Sequence, residues 1–387
     1  MHGSVVLGKQ LTTEFYYRNI SYSYYSGCSN GGREGLIEVE MFPDDFDGVL
    51  VGAAAWWTTH LGLWFMQTAL VNLPPDTPTA IPHEMWAVIG KEVLTQCDPQ
   101  DGLADSIIMD PTRCNFRPET LLCAADAKNT SSCLTSLQID SFYRSYTDWV
   151  DSNETFIFPH FWLGSEEQSA AIISPGTEPN PLGTGWVMDL MGLGPDWNYT
   201  KFSPSLIDIS EKLNPGNAKA NNFDISPFYA KGGKLIQYHG MSDGIIPTAS
   251  SVYFYDHVLR ALAPRGIDLD DFHRLFLVPG MGHCASTSSI MNAPWYFAAS
   301  GQPQTLGTNI YSVPGYSDNQ HDILLAIVAW VENGTAPESI IATKYVNDSV
   351  EAGVDRQRPV CVYPKQAIYN GSGNPDLAES WGCQSLY

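Results

Sequence analysis

Four short apolar segments of the sequence each end in a loop of distinctive composition. They are Tyr22–Ser26 before GCSNGG, Gly48–Ala55 before a tryptophan pair, Lys234–His239 before GMSDG and Arg274–Val278 before PGMGHC. Runs of this length and composition are typical of buried strands. Because long helical or irregular stretches separate them instead of hairpin turns, we predict a parallel sheet covered by helices, which is the α/β class. Two later segments, Tyr253–Leu262 and His321–Asn333, have the pattern of helices, the second with Gly334 as a left-handed cap.

The stretch between about Asn72 and Lys231 differs in composition from the rest of the chain. It contains tracts rich in proline, glycine and asparagine, such as PPDTPTAIP, PGTEPNPLGTG and LNPGNAKANN. Irregular connections of this kind lie on top of a scaffold and not within its sheet. We therefore predict that residues 72–231 form an inserted lid subdomain, while residues 1–71 and 232–387 together form the α/β domain.

The first loop carries the pattern G-x-S-x-G in Gly27-Cys28-Ser29-Asn30-Gly31. The pattern lies between a predicted strand and a helix predicted to start near Gly32, which is the setting of a nucleophilic serine. Small neighbours permit the sharp turn that such a serine needs, and the next backbone N–H can hold an oxyanion. Ser29 is therefore a candidate nucleophile and the N–H of Asn30 a candidate oxyanion donor. The alternative interpretation is an ordinary glycine-rich turn.

Two further loops supply an acid and a base in the order that a serine hydrolase of the α/β type requires. Asp243 follows one predicted strand and His283 follows another, so serine, aspartate and histidine come in the chain order of that class. The imidazole would accept the serine proton, and the carboxylate would fix its tautomer and stabilise the imidazolium. Other histidines remain alternatives, either as pocket residues or as structural ones: His239, His60, His160 and His321.

The positions of two cysteines link the first and last of these loops. Cys28 precedes Ser29 and Cys284 follows His283. A disulfide between them would hold their Cα atoms about 5.5 Å apart, so that Ser29 and His283 would lie within roughly 13 Å of each other. Eight cysteines allow 105 pairings, and this one is inferred from the neighbouring motifs.

Cysteine usage and glycosylation patterns indicate the compartment. The chain has eight cysteines and no C-x-x-C pair, which favours four disulfides in an oxidising environment over a zinc site. Seven N-x-S/T sequons point to a secreted glycoprotein. They begin at Asn19, Asn129, Asn153, Asn198, Asn333, Asn347 and Asn370.

Charge and hydropathy exclude several classes of partner. The formal net charge is −22 at pH 7, and a surface this negative repels nucleic acids and anionic membranes. The longest apolar run, Gly48–Trp57, is too short to span a bilayer. The first residues, Met1–Leu11, lack the pattern of a signal peptide, so we expect a mature or truncated chain whose export signal is not included.

The three loops together resemble one known family. YYSGCSNGGREG, GMSDGIIPT and GMGHC are similar to the motifs of the fungal tannase and feruloyl esterase family, which are secreted carboxylesterases of the α/β-hydrolase fold, and the resemblance runs from Val5 to Tyr387. It implies that Ser29 is the nucleophile, Asp243 the acid and His283 the base. It also implies the disulfides Cys28–Cys284, Cys97–Cys114, Cys123–Cys133 and Cys361–Cys383.

An acidic loop in the predicted lid is a candidate calcium site. Asp98, Asp101 and Asp105 stand within eight residues, and carboxylates this close repel one another unless a cation or solvent lies between them. From the residues alone, a solvated acidic turn is the alternative. The family resemblance implies a structural Ca²⁺ held by these three side chains and by the carbonyls of Leu103 and Ile107. No organic cofactor is expected.

The resemblance implies hydrolysis of phenolic acid esters, feruloyl esterase-like first and tannase-like second. The expected partners are small phenolic esters or feruloylated plant cell-wall polysaccharide. The motifs do not distinguish enzymes that act on ferulate, other hydroxycinnamates or gallate, because specificity for the ring depends on lid geometry. Family members carry strands and a glycine-rich oxyanion loop before the serine motif, whereas Ser29 comes almost at once here. We therefore expect a sheet without those amino-terminal strands, and an inactive truncated fragment that only binds phenolics is the rival interpretation.

Overall fold

The computed structural model of the chain describes residues 1–385. Its strands in that range are β1 (Tyr24–Cys28), β2 (Gly48–Gly52), β3 (Trp149–Val150), β4 (Phe156–Phe158), β5 (Lys234–Gly240), β6 (His273–Val278), β7 (Ser339–Tyr345), β8 (Val354–Cys361), β9 (Lys365–Tyr369) and β10 (Trp381–Ser385). Four of them form a central sheet in the order β1-β2-β5-β6, and every neighbouring pair in it is parallel. The predicted α/β class is confirmed.

The register of the sheet brings the carboxyl ends of its strands to one edge. Cys28 lies opposite Gly52, and Gly52 lies opposite Tyr238. Tyr238 in turn lies opposite Phe276. The loops that follow β1, β5 and β6 therefore leave the sheet at the same edge, as expected of parallel strands.

The α-helices between residues 1 and 385 are α1 (His2–Tyr16), α2 (Asn30–Met41), α3 (Thr58–Ala69), α4 (Met85–Cys97), α5 (Ser136–Ser145), α6 (Glu166–Ile173), α7 (Pro181–Gly185), α8 (Leu206–Leu213), α9 (Ser226–Ala230), α10 (Ala249–Leu262), α11 (Gln302–Leu306) and α12 (Ile323–Asn333). The predicted helix before Gly334 starts two residues later than expected, because the Asp322 side chain accepts the N–H groups of Leu324 and Leu325 and caps it. Gly334 closes it at φ 72° in the left-handed region, as predicted.

Two apolar clusters cover the two faces of the sheet. Val49 and Val51 of β2 pack with α2 and α10 on one face, whereas Leu50 packs with α12 on the other. Successive strand residues point to opposite faces, so a strand covered on both faces is a continuous apolar run. Each such side chain contributes about 1.5–3 kcal/mol relative to an exposed position.

A third apolar cluster belongs largely to the segment predicted as the lid. Its buried members run from Leu61 to Ile207, with Ala55, Ile246 and Met291 joining it to the sheet domain. In this region α6, α7 and α8 pack against α3, and α4 packs against α6. The division at residues 72–231 stays a prediction.

The sequence analysis gave no prediction for α1 or for the strands β7–β10. α1 has no buried residue among those described, and Phe15 is 76% exposed. β7 pairs antiparallel with β8, and β9 with β10, through connections longer than a hairpin turn. No described helix combines the length and apolar character needed to cross a bilayer.

All eight cysteines are paired, and the pairs are those that the family resemblance implies. They are Cys28–Cys284, Cys97–Cys114, Cys123–Cys133 and Cys361–Cys383. Only the first spans a long stretch of chain, 256 residues, and it connects the loop after β1 with the loop after β6.

Candidate active site

Ser29 occupies a strained turn between β1 and α2. Its backbone has φ 62° and ψ −120°, a combination that non-glycine residues rarely adopt and that costs on the order of 1–3 kcal/mol. Three backbone hydrogen bonds hold it: the Ser29 N–H donates to Gly52 O at 2.9 Å, and Ser29 O accepts from Arg33 at 3.0 Å and Ala55 at 3.1 Å. This is the geometry of a nucleophile elbow, in which the side chain is presented at the end of the strand.

Two glycines leave the space that this turn needs. A Cβ at Gly27 would lie 2.8 Å from the backbone of Gly31, and a Cβ at Gly32 would lie 2.6 Å from Gly52 O. A Cβ does not approach a non-bonded heavy atom this closely, so larger residues would push the turn away from β2. Because α2 begins at Asn30, earlier than the predicted start near Gly32, the N–H of Asn30 lies in the first helical turn and has no intrahelical acceptor. It is available as an oxyanion donor.

Asp243 and His283 form a hydrogen-bonded pair at the ends of β5 and β6. His283 Nδ1 lies 2.8 Å from Asp243 Oδ2, and the Asp243 side chain is fully buried. Its other oxygen, Oδ1, accepts the N–H groups of Ile245 at 2.8 Å and Ile246 at 2.9 Å. Burial alone raises the pKa of Asp243, but the charge of His283 and the hydrogen bonds from His239 and His283 outweigh it and hold the pKa well below its usual range. The group is therefore a carboxylate whenever His283 acts as a base.

His239 is a second partner of the same carboxylate oxygen, a role that the sequence analysis did not identify. Its Nε2 lies 2.9 Å from Asp243 Oδ2 and 3.0 Å from Ile246 O, while Nδ1 lies 2.7 Å from Ser251 Oγ. Since both neighbours of Nε2 are acceptors, Nε2 carries the proton and donates. His239 thus helps to orient Asp243. Its spacing of four residues from Asp243 across a tight turn was the available signal.

The disulfide Cys28–Cys284 fastens the serine loop to the histidine loop. The Cα atoms of the two cysteines are 5.9 Å apart. Ser29 is the residue after one of these cysteines and His283 is the residue before the other, so the disulfide keeps both close together. Among the described residues, Ser29 Oγ has no hydrogen-bond partner, and His283 Nε2 has none either. Catalytic hydrogen bonds of this type often form only when substrate is bound. The structure brings the three loops together and shows the Asp243–His283 bond directly.

A cavity of about 420 Å³ opens beside Ser29 and Asn30. One face of α3 forms a wall of it, with Thr58, Leu61, Gly62 and Phe65 at helical spacing. Leu182, Trp186 and Leu190 of the predicted lid and Ile245 and Ile246 of the acid loop complete the apolar lining. A cavity of this size and composition accommodates an aromatic ring.

Two residues that line the cavity each carry a buried polar atom without a hydrogen-bond partner. Thr58 Oγ1 and Arg33 Nε are both buried and unpaired among the described residues, and Thr58 is only 7% exposed. Both groups can donate a hydrogen bond. Buried donors without partners are costly, and these two atoms have almost no surface accessible from the cavity, so a ligand there would not relieve that cost.

The acidic loop partly fits a cation. Asp105 Oδ1 is buried without a partner, although its Oδ2 is 2.5 Å from Arg358. Burial raises the pKa of Asp101, and the nearby charges of Asp105 and Asp98 add to this rise. Asp98 already accepts the N–H groups of Asp105, Ser106 and Ile107. A buried carboxylate oxygen without a hydrogen-bond partner, close to other carboxylates, is a suitable ligand for Ca²⁺.

Among the residues that the structure describes, another group of possible metal ligands is more compact than the three loop aspartates. His2, Glu38 and Asp45 offer ligand atoms that all lie within 4.8 Å of one another, which the three loop aspartates do not. His2 Nδ1 lies 2.7 Å from Asp45, and burial, together with Asp45, raises the pKa of Glu38 to about 7. The His2–Asp45 bond and the nearby Glu38 carboxyl join α1 to α2 and to the turn that follows it, which is a structural role.

The remaining candidate histidines have structural partners away from the Asp243–His283 pair. His160 bonds Asp148 at 2.6 Å and His321 bonds Asp318 at 2.9 Å. His60 contacts Ile157 O at 2.6 Å, and burial lowers its pKa, so it is neutral near pH 7. None of these three is placed to receive a proton from Ser29.

The parallel sheet, the strained serine turn and the carboxylate–imidazole pair at its strand ends together define an α/β-hydrolase-like protein. The chain matches the tannase and feruloyl esterase family over residues 1–183 and 208–384, and it belongs to that family. It is 34% identical to "Probable feruloyl esterase B-1" of Aspergillus flavus over 99% of this chain and 70% of the relative.

Solved structures agree with this assignment. The crystal structure of feruloyl esterase B from Aspergillus oryzae has a TM-score of 0.89 and 32% identity, covering 99% of this chain and 73% of that one. Tannin acyl hydrolase from Aspergillus niger has a TM-score of 0.73 at 24% identity, covering 98% of this chain and 68% of that one. At that identity the second likeness supports the fold alone.

Proposed function

We propose that the chain is a serine carboxylesterase that cleaves esters of phenolic acids through an acyl-enzyme. The observation that carries the proposal is the buried Asp243–His283 bond at 2.8 Å, tied to the Ser29 turn by the Cys28–Cys284 disulfide. The names of the relatives, feruloyl esterase B in two Aspergillus species, support ferulate or a similar hydroxycinnamate as the acyl group. Gallate esters are the second candidate, because the family includes tannases.

The proposed reaction proceeds in two halves. Ser29 Oγ attacks the ester carbonyl carbon while His283 Nε2 takes the hydroxyl proton, and the N–H of Asn30 stabilises the oxyanion. Asp243 holds the Nδ1 proton and stabilises the imidazolium, which then protonates the departing alcohol as the C–O bond breaks. In the second half, water attacks the acyl-enzyme carbonyl while His283 Nε2 takes its proton, and the imidazolium returns that proton to Ser29 Oγ as the acyl–oxygen bond breaks and the acid is released.

The cavity beside Ser29 supports an aromatic acyl group. Its apolar walls, with Phe65 and Trp186, suit a phenyl ring. The geometry therefore favours aromatic esters over aliphatic ones.

A substrate panel tests this proposal on the purified chain. We expect methyl ferulate to be hydrolysed with kcat/KM on the order of 10⁴ M⁻¹s⁻¹ or above, ahead of methyl gallate and of a short aliphatic ester. The measurement is product release by chromatography, with Ser29→Ala as the blank. If no ester is hydrolysed while ferulic acid still quenches tryptophan fluorescence, the chain is a phenolic-binding protein and the esterase proposal is wrong.

We also propose that the protein is a secreted glycoprotein. All seven sequon asparagines are exposed, as glycosylation requires. The four disulfides are stable only outside a reducing compartment. Expression in a secreting host followed by glycosidase treatment would show whether these asparagines carry glycans.

We propose further that Ca²⁺ binds the acidic loop through Asp98, Asp101 and Asp105 and the carbonyls of Leu103 and Ile107. When bound it would offset the charge of the loop and brace the lid, without taking part in the reaction. Removal of the ion by a chelator is expected to lower Tm by about 4 °C, since binding at 100-fold over Kd adds about 2.7 kcal/mol. Turnover at 25 °C should change little.

Calorimetry with and without a chelator measures this effect. Asp101→Asn keeps the acceptor for the Leu103 N–H but removes the charge, so its Tm should no longer respond to the chelator. Asp126→Asn, on the exposed segment between Cys123 and Cys133, is the matched control and should respond as the wild type does. No response in the wild type would leave the loop as a solvated turn.

A further inference from the structure

One side chain of helix α6 contacts both loops that carry the acid and the base. Gln168 Oε1 accepts the backbone N–H of His283 at 2.9 Å and that of Gly244 at 3.2 Å. Gly244 directly follows Asp243, so one oxygen atom joins His283 to the residue next to its carboxylate partner. Beyond the strand ends, the two loops share one further backbone bond, from the Ser242 N–H to Met281 O at 2.9 Å.

The acid loop and the base loop each have a glycine at the point of closest approach to Gln168. A Cβ at Gly282 would lie 2.8 Å from Gln168 Nε2, and a Cβ at Gly244 would lie 2.5 Å from Gln168 Cβ. Neither glycine has a left-handed φ, so backbone conformation does not explain them. The close approach of Gln168 does, and it accounts for one glycine in each of the motifs GMSDG and GMGHC.

The neighbouring residue fastens the same helix to the segment after His283. Glu167 Oε2 accepts the Ser288 hydroxyl at 2.6 Å and the Ser289 N–H at 2.7 Å. α6 is therefore attached on both sides of the base loop. Gln168 does not line the cavity beside Ser29, so it is not placed to contact a bound acyl group.

We propose that Gln168 is a positioning residue for the Asp243–His283 pair. By holding the N–H groups of Gly244 and His283 on one oxygen, it fixes the separation of the two loops and so the direction in which the imidazole faces Ser29. The inference rests on the proposed esterase function, but it adds a residue from the predicted lid to the machinery of the sheet. The lid would then orient the base as well as cover the substrate.

Gln168→Met tests the proposal, because it preserves the length of the side chain and removes the acceptor. Misplacement of a reacting group by about 1 Å can cost up to about 100-fold, and a partly supported loop should lose less. We expect kcat for methyl ferulate to fall about 10-fold with KM within about 2-fold of wild type. The rate at which a fluorophosphonate labels Ser29 should fall in parallel. Gln168→Glu, which restores an oxygen acceptor, should recover most of the loss.

The control is Gln138→Met, at a lid glutamine that donates to Ala80 O and caps α5. It should lower Tm and leave kcat unchanged. If Gln168→Met lowers Tm in the same way but leaves kcat and the labelling rate unchanged, Gln168 is only structural and the proposal is wrong. A change confined to KM would also overturn it, because it would indicate substrate contact.

A spectroscopic measurement separates this proposal from the esterase function. The proton between His283 Nδ1 and Asp243 should give a downfield NMR signal in the wild type, and Gln168→Met should broaden it through faster exchange with water. An unchanged signal would overturn the positioning role even if the wild type hydrolyses no ester. Absence of ester hydrolysis with a signal that responds to Gln168→Met would overturn the proposed function alone.

Discussion

Replacing Ser29 by alanine is expected to lower kcat for methyl ferulate by on the order of 10⁶-fold, the size of effect found when a serine hydrolase loses its nucleophile. The proposed reaction has no other group to form the acyl-enzyme, and the remaining oxyanion donor and cavity accelerate attack by water only weakly. Stability should hardly change. Alanine meets the same backbone strain at φ 62°, and the Ser29 hydroxyl has no hydrogen-bond partner to lose among the described residues.

Burst kinetics and a melting curve measure both parts of this expectation. Wild type should release one equivalent of alcohol before steady state if deacylation is slow, and Ser29→Ala should show no burst. Ser26→Ala, at an exposed position of β1, is the matched control and should keep full activity. Turnover by Ser29→Ala within tenfold of wild type would contradict the assignment of the nucleophile.

The parts of the site that the sequence predicted are those encoded in local patterns. An apolar run that ends in a turn with glycine can be recognised from the sequence alone. Three such patterns placed Ser29, Asp243 and His283 after the ends of strands, where the structure has them. The adjacency of Cys28 to Ser29 and of Cys284 to His283 then supplied long-range information that local patterns lack. The observed disulfide joins these two cysteines.

The parts that the sequence did not predict depend on contacts made by the fold. From the sequence alone, His239 looks like an ordinary residue of a buried strand, and Gln168 looks like an ordinary polar residue in the first turn of a helix. Their roles arise because β5 and β6 pair and because α6 packs over their ends. The strands β7–β10 were missed because antiparallel pairs with long connections lack a hairpin signal. The bounds of 72–231 stay a prediction because α3, outside them, shares the same apolar cluster.

Replacing Asp243 by asparagine, which is nearly the same size, should cause the second largest loss of activity. Asp243 Oδ1 accepts two backbone N–H groups, and its Oδ2 faces His239 Nε2 and His283 Nδ1. Asparagine at this position must keep its oxygen toward the backbone donors, so its NH₂ group would face both imidazoles. The donor on His239 then meets another donor, and His283 can accept only by moving its proton to Nε2.

That tautomer places an N–H where the proposed reaction needs a lone pair, so Asp243→Asn is expected to lower kcat by about 10⁴-fold. The buried donor mismatch at His239 should also reduce the free energy of unfolding by about 1–3 kcal/mol. Initial-rate kinetics and denaturant unfolding check the two effects. Asp318→Asn makes the same chemical change in another aspartate that contacts a histidine, His321 at 2.9 Å outside the cavity, and should leave kcat unchanged. Equal kcat values for Asp243→Asn and Asp318→Asn would contradict the role of Asp243, whereas a selective loss would identify it as the group that sets the tautomer of His283.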